Sequence, residues 1–184
     1  MNISLPTLIL RHQRENLKKC SLRGLEKTPG FHFLTYPTSC LPDLSDYVLL
    51  ALDGEPLTSE DAQSGLFLLD ATWRYAAKMH AFVLKQHGKS MKTRSIPSGY
   101  KTAYPRCQPD CPDPEAGLAS IEALYVAYKI TGRDTTGLLD NYYWTEQFLS
   151  LNKDLNDKTT LSKNEKEFFD QKNETITHIL PFLF

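Results

Sequence analysis

Short apolar runs bounded by turn residues recur through the first half of the chain, at residues 7–10, 31–36, 47–52 and 66–69. A strand covered on both faces loses the alternation of a half-exposed strand, so these runs predict buried strands of a parallel sheet. Between and after them the spacing of apolar positions changes to three and four. Trp73, Ala76, Ala77, Met79, His80 and Val83 share one stripe, and Leu118, Ile121, Leu124, Tyr125 and Tyr128 share a second. Trp144, Phe148, Leu151 and Leu155 mark a third helix with an apolar edge for packing. This order predicts an α/β domain, a mostly parallel sheet flanked by helices, followed by a helical C-terminal region. Beyond Asn156 the chain is polar up to Thr175 and then ends on Ile179, Leu180, Phe182, Leu183 and Phe184. The expected division is one domain over residues 1–156 and a polar helical tail over 157–184.

Composition narrows this picture without changing it. With 184 residues, 41% of them hydrophobic and 23% charged, the chain suits one well-buried core in water. It has no apolar run of membrane-spanning length, and residues 1–10 lack the features of a secretory signal, so a cytoplasmic, monomeric protein is expected. The four cysteines give no disulfide framework; Cys107 and Cys111 stand between prolines with no second pair to complete a zinc site, and no metal is expected. The formal net charge of −1 hides an uneven distribution. Residues 11–27 carry Arg11, Arg14, Lys18, Lys19, Arg23 and Lys27 against Glu15 and Glu26, and residues 85–106 carry Lys85, Lys89, Lys92, Arg94, Lys101 and Arg106 with no acid. Both stretches are candidate phosphate-facing surfaces.

The run at 66–69 leads into Asp70-Ala71-Thr72-Trp73-Arg74. An acid at the carboxyl end of a buried strand, just before a helix, lies where open α/β sheets bind ligands. Helix capping by Asp70 or Thr72 explains the same residues equally well. Other segments shift the balance. Asp70-Ala71-Thr72-Trp73 resembles the Asp-x-Thr/Ser-Trp signature of the DTW-domain tRNA-uridine aminocarboxypropyltransferases and of their relatives that modify small-subunit ribosomal RNA. Gly117 to Leu124 is similar to the family's Leu-Ser/Cys-Thr/Ser-x-Glu-Ala segment, and Lys18 to Leu25 to the Lys-Lys-Cys-Ser/Thr stretch of the ribosomal branch. Arg94-Ser95-Ile96-Pro97 resembles that branch's Arg-x-Leu-Pro, and Tyr143 to Asn152 its Trp-Gly-x-x-Phe-Leu-x-Leu-Asn ending. The chain departs from the pattern at Gly24, at Ala119 and in the shortened 102–105 stretch.

The resemblance implies a SPOUT-like sheet with a C-terminal trefoil knot, one of the rare exceptions to unthreaded topology. It further implies an RNA-modifying transferase that moves the 3-amino-3-carboxypropyl group of S-adenosylmethionine (SAM) onto a uridine of tRNA. The alternatives are a (pseudo)uridine of small-subunit rRNA, a SPOUT-type methyltransferase, or a non-catalytic RNA-binding assembly protein. Carried onto this sequence, Ser21 faces the amino-acid end of SAM, and Leu50, Leu52 and Pro56 belong to the loop along the adenosine. Asp70, Thr72 and Trp73 line the reacting centre, while Ile96, Pro97, Leu118 and Ser120 close the adenine side. Asp70 would take a proton from the acceptor base or orient it, and Trp73 would shield the methyl group. Structured RNA is the expected partner, met by Arg11, Arg14, Lys18, Lys19, Arg23, Lys89, Lys92, Arg94 and Lys101. Glu122 is read as structural, none of the five histidines is assigned to catalysis, and Tyr100 and Tyr104 are candidates for stacking on a flipped base.

Overall fold

The computed structural model describes residues 5–88, 91–105 and 117–155. Within them the apolar runs become strands β1 (Thr7–His12), β2 (Phe31–Tyr36), β3 (Tyr47–Pro56) and β4 (Gly65–Asp70), joined by β5 (Lys92–Ser95). The helices are α1 (Trp73–His87), α2 (Ser120–Thr131) and α3 (Thr145–Leu151). The strands lie in the order β2-β1-β4-β3-β5, and every neighbouring pair is parallel. A fully parallel sheet puts all strand carboxyl ends along one edge, and with them the loops that follow each strand.

Period-two alternation along each strand divides the core into two layers. Leu8, Leu10, Leu49 and Phe67 point to one face and pack with Met79 and Val83 of α1. Ile9, Val48, Leu50, Leu66 and Leu68 point to the other and meet Ile121, Leu124 and Tyr128 of α2 and Phe148 of α3. Burial on both faces is why β1, β4 and the first half of β3 read as continuous apolar runs, whereas β2, expected to be buried, is an edge strand whose residues are only partly buried or exposed. The edge strand β5, Lys-Thr-Arg-Ser, contains no large apolar residue, and hydrophobic patterning does not reveal it. α2 starts at Ser120, two positions after the first apolar residue of its stripe, and Leu155 packs on the core beyond α3.

β3 breaks register with β5 between Leu50 and Glu55, both of which pair with Arg94. The intervening residues leave the ladder as a bulge at the carboxyl edge. Gly54 makes the bulge feasible, because a Cβ there would lie 2.6 Å from the Arg94 nitrogen and from the Thr93 carbonyl carbon. The obstructing atoms are backbone and cannot rotate away. Gly54→Ala is therefore expected to lower stability by about 1–3 kcal/mol through overpacking, read as a lower urea midpoint at unchanged m-value.

Candidate active site at the carboxyl edge

Arg11 and Asp70 are register partners on β1 and β4, so their side chains leave the sheet on the same face, next to each other. Both are buried, at 9% and 4% exposure. Arg11 Nε donates to Asp70 Oδ2 at 2.7 Å, Nη1 to Glu26 Oε1 at 2.6 Å and Nη2 to Cys20 Sγ at 3.3 Å. Its guanidinium also lies 4.5 Å above the centre of the Phe33 ring. Burial works against the charge, but Glu26 and Asp70 more than offset it, and the net shift of the Arg11 pKa is upward.

The loop after β1 folds over this pair. The Cys20 thiol donates to Asp70 Oδ2 at 3.3 Å, and burial, reinforced by the negative charge of Asp70, pushes its pKa up to about 12. Cys20 is thus a protonated donor and not a nucleophile. Next to it, Ser21 Oγ accepts the Ile121 amide at 3.3 Å, one of the N–H groups that the start of α2 leaves without an intrahelical partner. Ser120 Oγ donates to Asp70 Oδ1 at 3.4 Å. Three residues that the sequence resemblance assigned to the site, Ser21, Asp70 and Ser120, are brought together here although they lie far apart in the chain.

Asp70 does not cap α1, because its carboxylate is occupied by Arg11, Cys20 and Ser120. Thr72 holds the N-cap position without a side-chain cap bond, and Trp73 is the first residue of α1. Further along the same edge, the β3 bulge carries Leu52, which is 60% exposed, between Leu50, which is buried, and Pro56, both paired with β5. Ile96 and Leu118 pack partly against the α2 side of the core, and Pro97 is half-buried beside Ile96.

The loop after β5 is held by two buried polar residues. Glu122 is fully buried and accepts from the amides of Ala103 (2.8 Å) and Ala119 (2.7 Å) and from the hydroxyls of Thr102 (2.6 Å) and Tyr142 (2.8 Å). Four donors satisfy a carboxylate that forms no ion pair among the described residues. Asn152 pairs with the Lys101 backbone, its Oδ1 accepting from the amide and its Nδ2 donating to the carbonyl, at 2.7 and 2.9 Å. The helical Glu122 thus has the structural role expected of it, through hydrogen bonds and not an ion pair. Tyr100 is buried in the core, so it is not a free stacking platform; Tyr104 is half-buried against the same cluster.

The cations separate into two groups. Arg11, expected to face phosphate, is instead sequestered under the site by Asp70 and Glu26. Arg94 is only 16% exposed at its side chain and bridges Asp61 and Glu55, while Lys92 also contacts Asp61. Arg14, Lys18, Lys19, Arg23 and Lys101 are exposed. Lys89, Arg106, Cys107, Cys111 and the 157–184 tail lie outside the described residues. Among the described residues no cluster of His, Cys, Asp or Glu is arranged to hold a metal ion, and no helix is long and apolar enough to cross a membrane.

No family model matches the chain, and no curated protein matches its sequence. Among solved structures it is similar to the SAM-dependent rRNA:acp-transferase Tsr3 from Vulcanisaeta distributa, with a TM-score of 0.63 over 96% of this chain and 98% of that one. The sequences are 19% identical over the match, so the likeness establishes a shared fold.

Two outcomes follow from the buried pair. Arg11→Ala leaves Asp70 desolvated and unpaired and is expected to cost about 3–5 kcal/mol of stability in urea unfolding, whereas Arg11→Met combined with Asp70→Leu recovers at least half of that loss. In the native protein at pH 8, iodoacetamide should label the exposed Cys40 and spare Cys20 until denaturant is added, as read by peptide mass spectrometry.

Proposed function

We propose that this chain transfers the 3-amino-3-carboxypropyl group of SAM onto a uridine-type base of structured RNA. The observation that carries this reading is the meeting of Ser21, Asp70 and Ser120 at the carboxyl edge of a sheet that shares its fold with Tsr3. That neighbour is an rRNA enzyme, which favours the small-subunit rRNA alternative over the tRNA one. A SPOUT-like knotted threading and a monomeric state belong to the same reading.

The residues at this edge suit an amphiphilic nucleoside. Leu52 presents an apolar side chain to solvent from the β3 bulge, and with the partly buried Ile96, Pro97 and Leu118 it is assigned to the adenine side of the co-substrate. The hydroxyls of Ser21 and Ser120, together with the amide end of α2, offer polar partners and a positive dipole end to the amino-acid carboxylate. When bound, the co-substrate supplies a sulfonium centre whose Cγ–S bond gives way to a new C–N bond at the base nitrogen, with methylthioadenosine leaving and the nitrogen's proton passing to solvent.

In this reading Asp70 acts as a positioning residue. A carboxylate already engaged by a guanidinium, a thiol and a hydroxyl is poorly placed to take a further proton from a base. It holds the β1 loop and the start of α2 in register, so Ser21 and Ser120 face the co-substrate together. Trp73 remains assigned to shielding the methyl group on the strength of the Asp70-Ala71-Thr72-Trp73 segment alone. Orientation of this kind decides which of the sulfonium's bonds is aimed at the acceptor.

The test is product analysis. Incubation of the protein with SAM and, separately, with rRNA and tRNA should yield methylthioadenosine in step with an aminocarboxypropylated nucleoside in the rRNA. S-adenosylhomocysteine in its place would make the protein a methyltransferase, and absence of both products with every RNA would overturn the transferase reading. Ser120→Ala is expected to weaken SAM binding about tenfold in calorimetry while leaving the melting temperature within a few degrees, since the hydroxyl is half-buried and its bond to Asp70 is long.

A further inference from the structure

A second group of side chains occupies the same edge on the opposite face of the sheet. Alternation along β1 sends His12 away from Arg11 toward α1, where its ring stacks on Tyr75 with centroids 4.0 Å apart and planes at 9°. Behind His12 the ladder continues to Tyr36, tilted at 5.6 Å, and from Tyr36 edge-on to Phe82 at 5.2 Å. The Arg14 amide donates to His12 Nδ1 at 3.1 Å and fixes the imidazole from the loop side. The Arg14 guanidinium donates to the Tyr75 hydroxyl at 3.4 Å, and this bond, with the nearby charges of Arg14 and Arg74, lowers the Tyr75 pKa.

Arg14 and Arg74 lie at Tyr75 itself, and the charges of the β1 loop and the first turn of α1 differ from those at the other end of the sheet. Arg14, Lys18, Lys19, Arg23 and Arg74 are exposed and form no ion pair among the described residues. Lys92 and Arg94 already have Asp61 and Glu55 as counter-charges. A cation with its own carboxylate releases little condensed counterion when a phosphate approaches, whereas an unpaired one contributes to polyanion affinity in full.

We propose that the surface formed by the β1 loop and the first turn of α1 docks an unpaired stretch of RNA. A base stacks at Tyr75, whose ring is stiffened from behind by His12, the adjoining phosphates sit on Arg14 and Arg74, and the strand continues along the β1 loop past Lys18, Lys19 and Arg23. Phosphate charge matches the cations, and a π-face matches the ladder, a combination that suits a single strand better than a duplex or an acidic protein. The β5-side cations are removed from the interface and serve the fold instead. This inference rests on RNA being the acceptor and adds where the strand lies: it passes the carboxyl end of β4 from the α1 side.

The experiment uses the full chain and a fluorescently labelled RNA hairpin with an unpaired loop, titrated by anisotropy across a salt series. Replacing Arg14, Lys18, Lys19 and Arg23 together by Ala should reduce the slope of log affinity against log salt by about 3. Tyr75→Leu should weaken binding about tenfold while Tyr75→Phe, which keeps the ring, stays within a few-fold of wild type. Lys92→Ala should bind as wild type does, and circular dichroism melts confirm that each variant is folded. A wild-type chain without RNA affinity, a Tyr75→Leu protein that binds undiminished, or a slope set by Lys92 would each overturn the proposal. SAM calorimetry on the same proteins keeps the two readings apart: lost SAM binding in the wild type defeats the transferase and leaves this surface standing, whereas intact SAM binding with undiminished RNA binding in the variants defeats this surface alone.

Discussion

Arg11 and Asp70 face each other across two parallel strands, almost out of reach of water, 2.7 Å apart. Isolated charges in such surroundings would cost several kcal/mol each, which only close pairing and filled hydrogen bonds offset. The surroundings supply these in order: Glu26 and the Phe33 ring for the guanidinium, Cys20 and Ser120 for the carboxylate. Cys20 and Glu26 come from the connection between β1 and β2, Phe33 from β2 and Ser120 from the start of α2. The pair therefore ties the β1 loop, the edge strand β2, the end of β4 and the start of α2 to a single point.

That point also explains how a loop-built site acquires a defined shape. The β1 loop has little regular structure, yet Cys20, Ser21 and Leu22 are held by Asp70, by the Ile121 amide and by the core. The β3 bulge is fixed differently, by the close backbone approach at Gly54 and by Arg94 reaching from Asp61 to Glu55. The β5 loop is fixed in a third way, by the neutral donors around Glu122 and the amide pairing of Asn152. Three segments along one edge are thus held by three separate sets of contacts, the kind of preorganisation the proposed co-substrate site calls for.

The same alternation that buries Arg11 on one face places His12 against Tyr75 on the other. Consecutive residues of a strand leave opposite faces, so Arg11 and His12 serve two different layers: one neutralises the acid under the proposed co-substrate site, the other stiffens an aromatic surface beside unpaired cations. Shifting the β1 register by one residue would exchange them and bury an imidazole where Asp70 needs a guanidinium. Register of this strand is accordingly under strong constraint from both faces.

Local sequence determined what depends on neighbours along the chain. The four apolar runs, the stripes of α1 and α2, and the place of Asp70 at a strand end are legible in the order of residues, the runs of β1, β3 and β4 because they are buried on both faces and the stripes because of the period of a helix; that β2 lies at the edge was not. The role of Glu122 as a structural acid was legible too, though not the donors that fill it. What only the tertiary structure decided were the partners across the chain. Arg11 reads in sequence as one of a cluster of surface cations, and its burial depends on β4 lying beside β1 in a register that puts it opposite Asp70. β5 carries no large apolar residue and so gives no apolar signal, and its Lys92 and Arg94 become structural only because Asp61 reaches them from the turn after β3. Charge counts along a chain cannot separate paired from unpaired cations, since pairing is settled by which strands become neighbours, and that depends on the packing of the whole sheet.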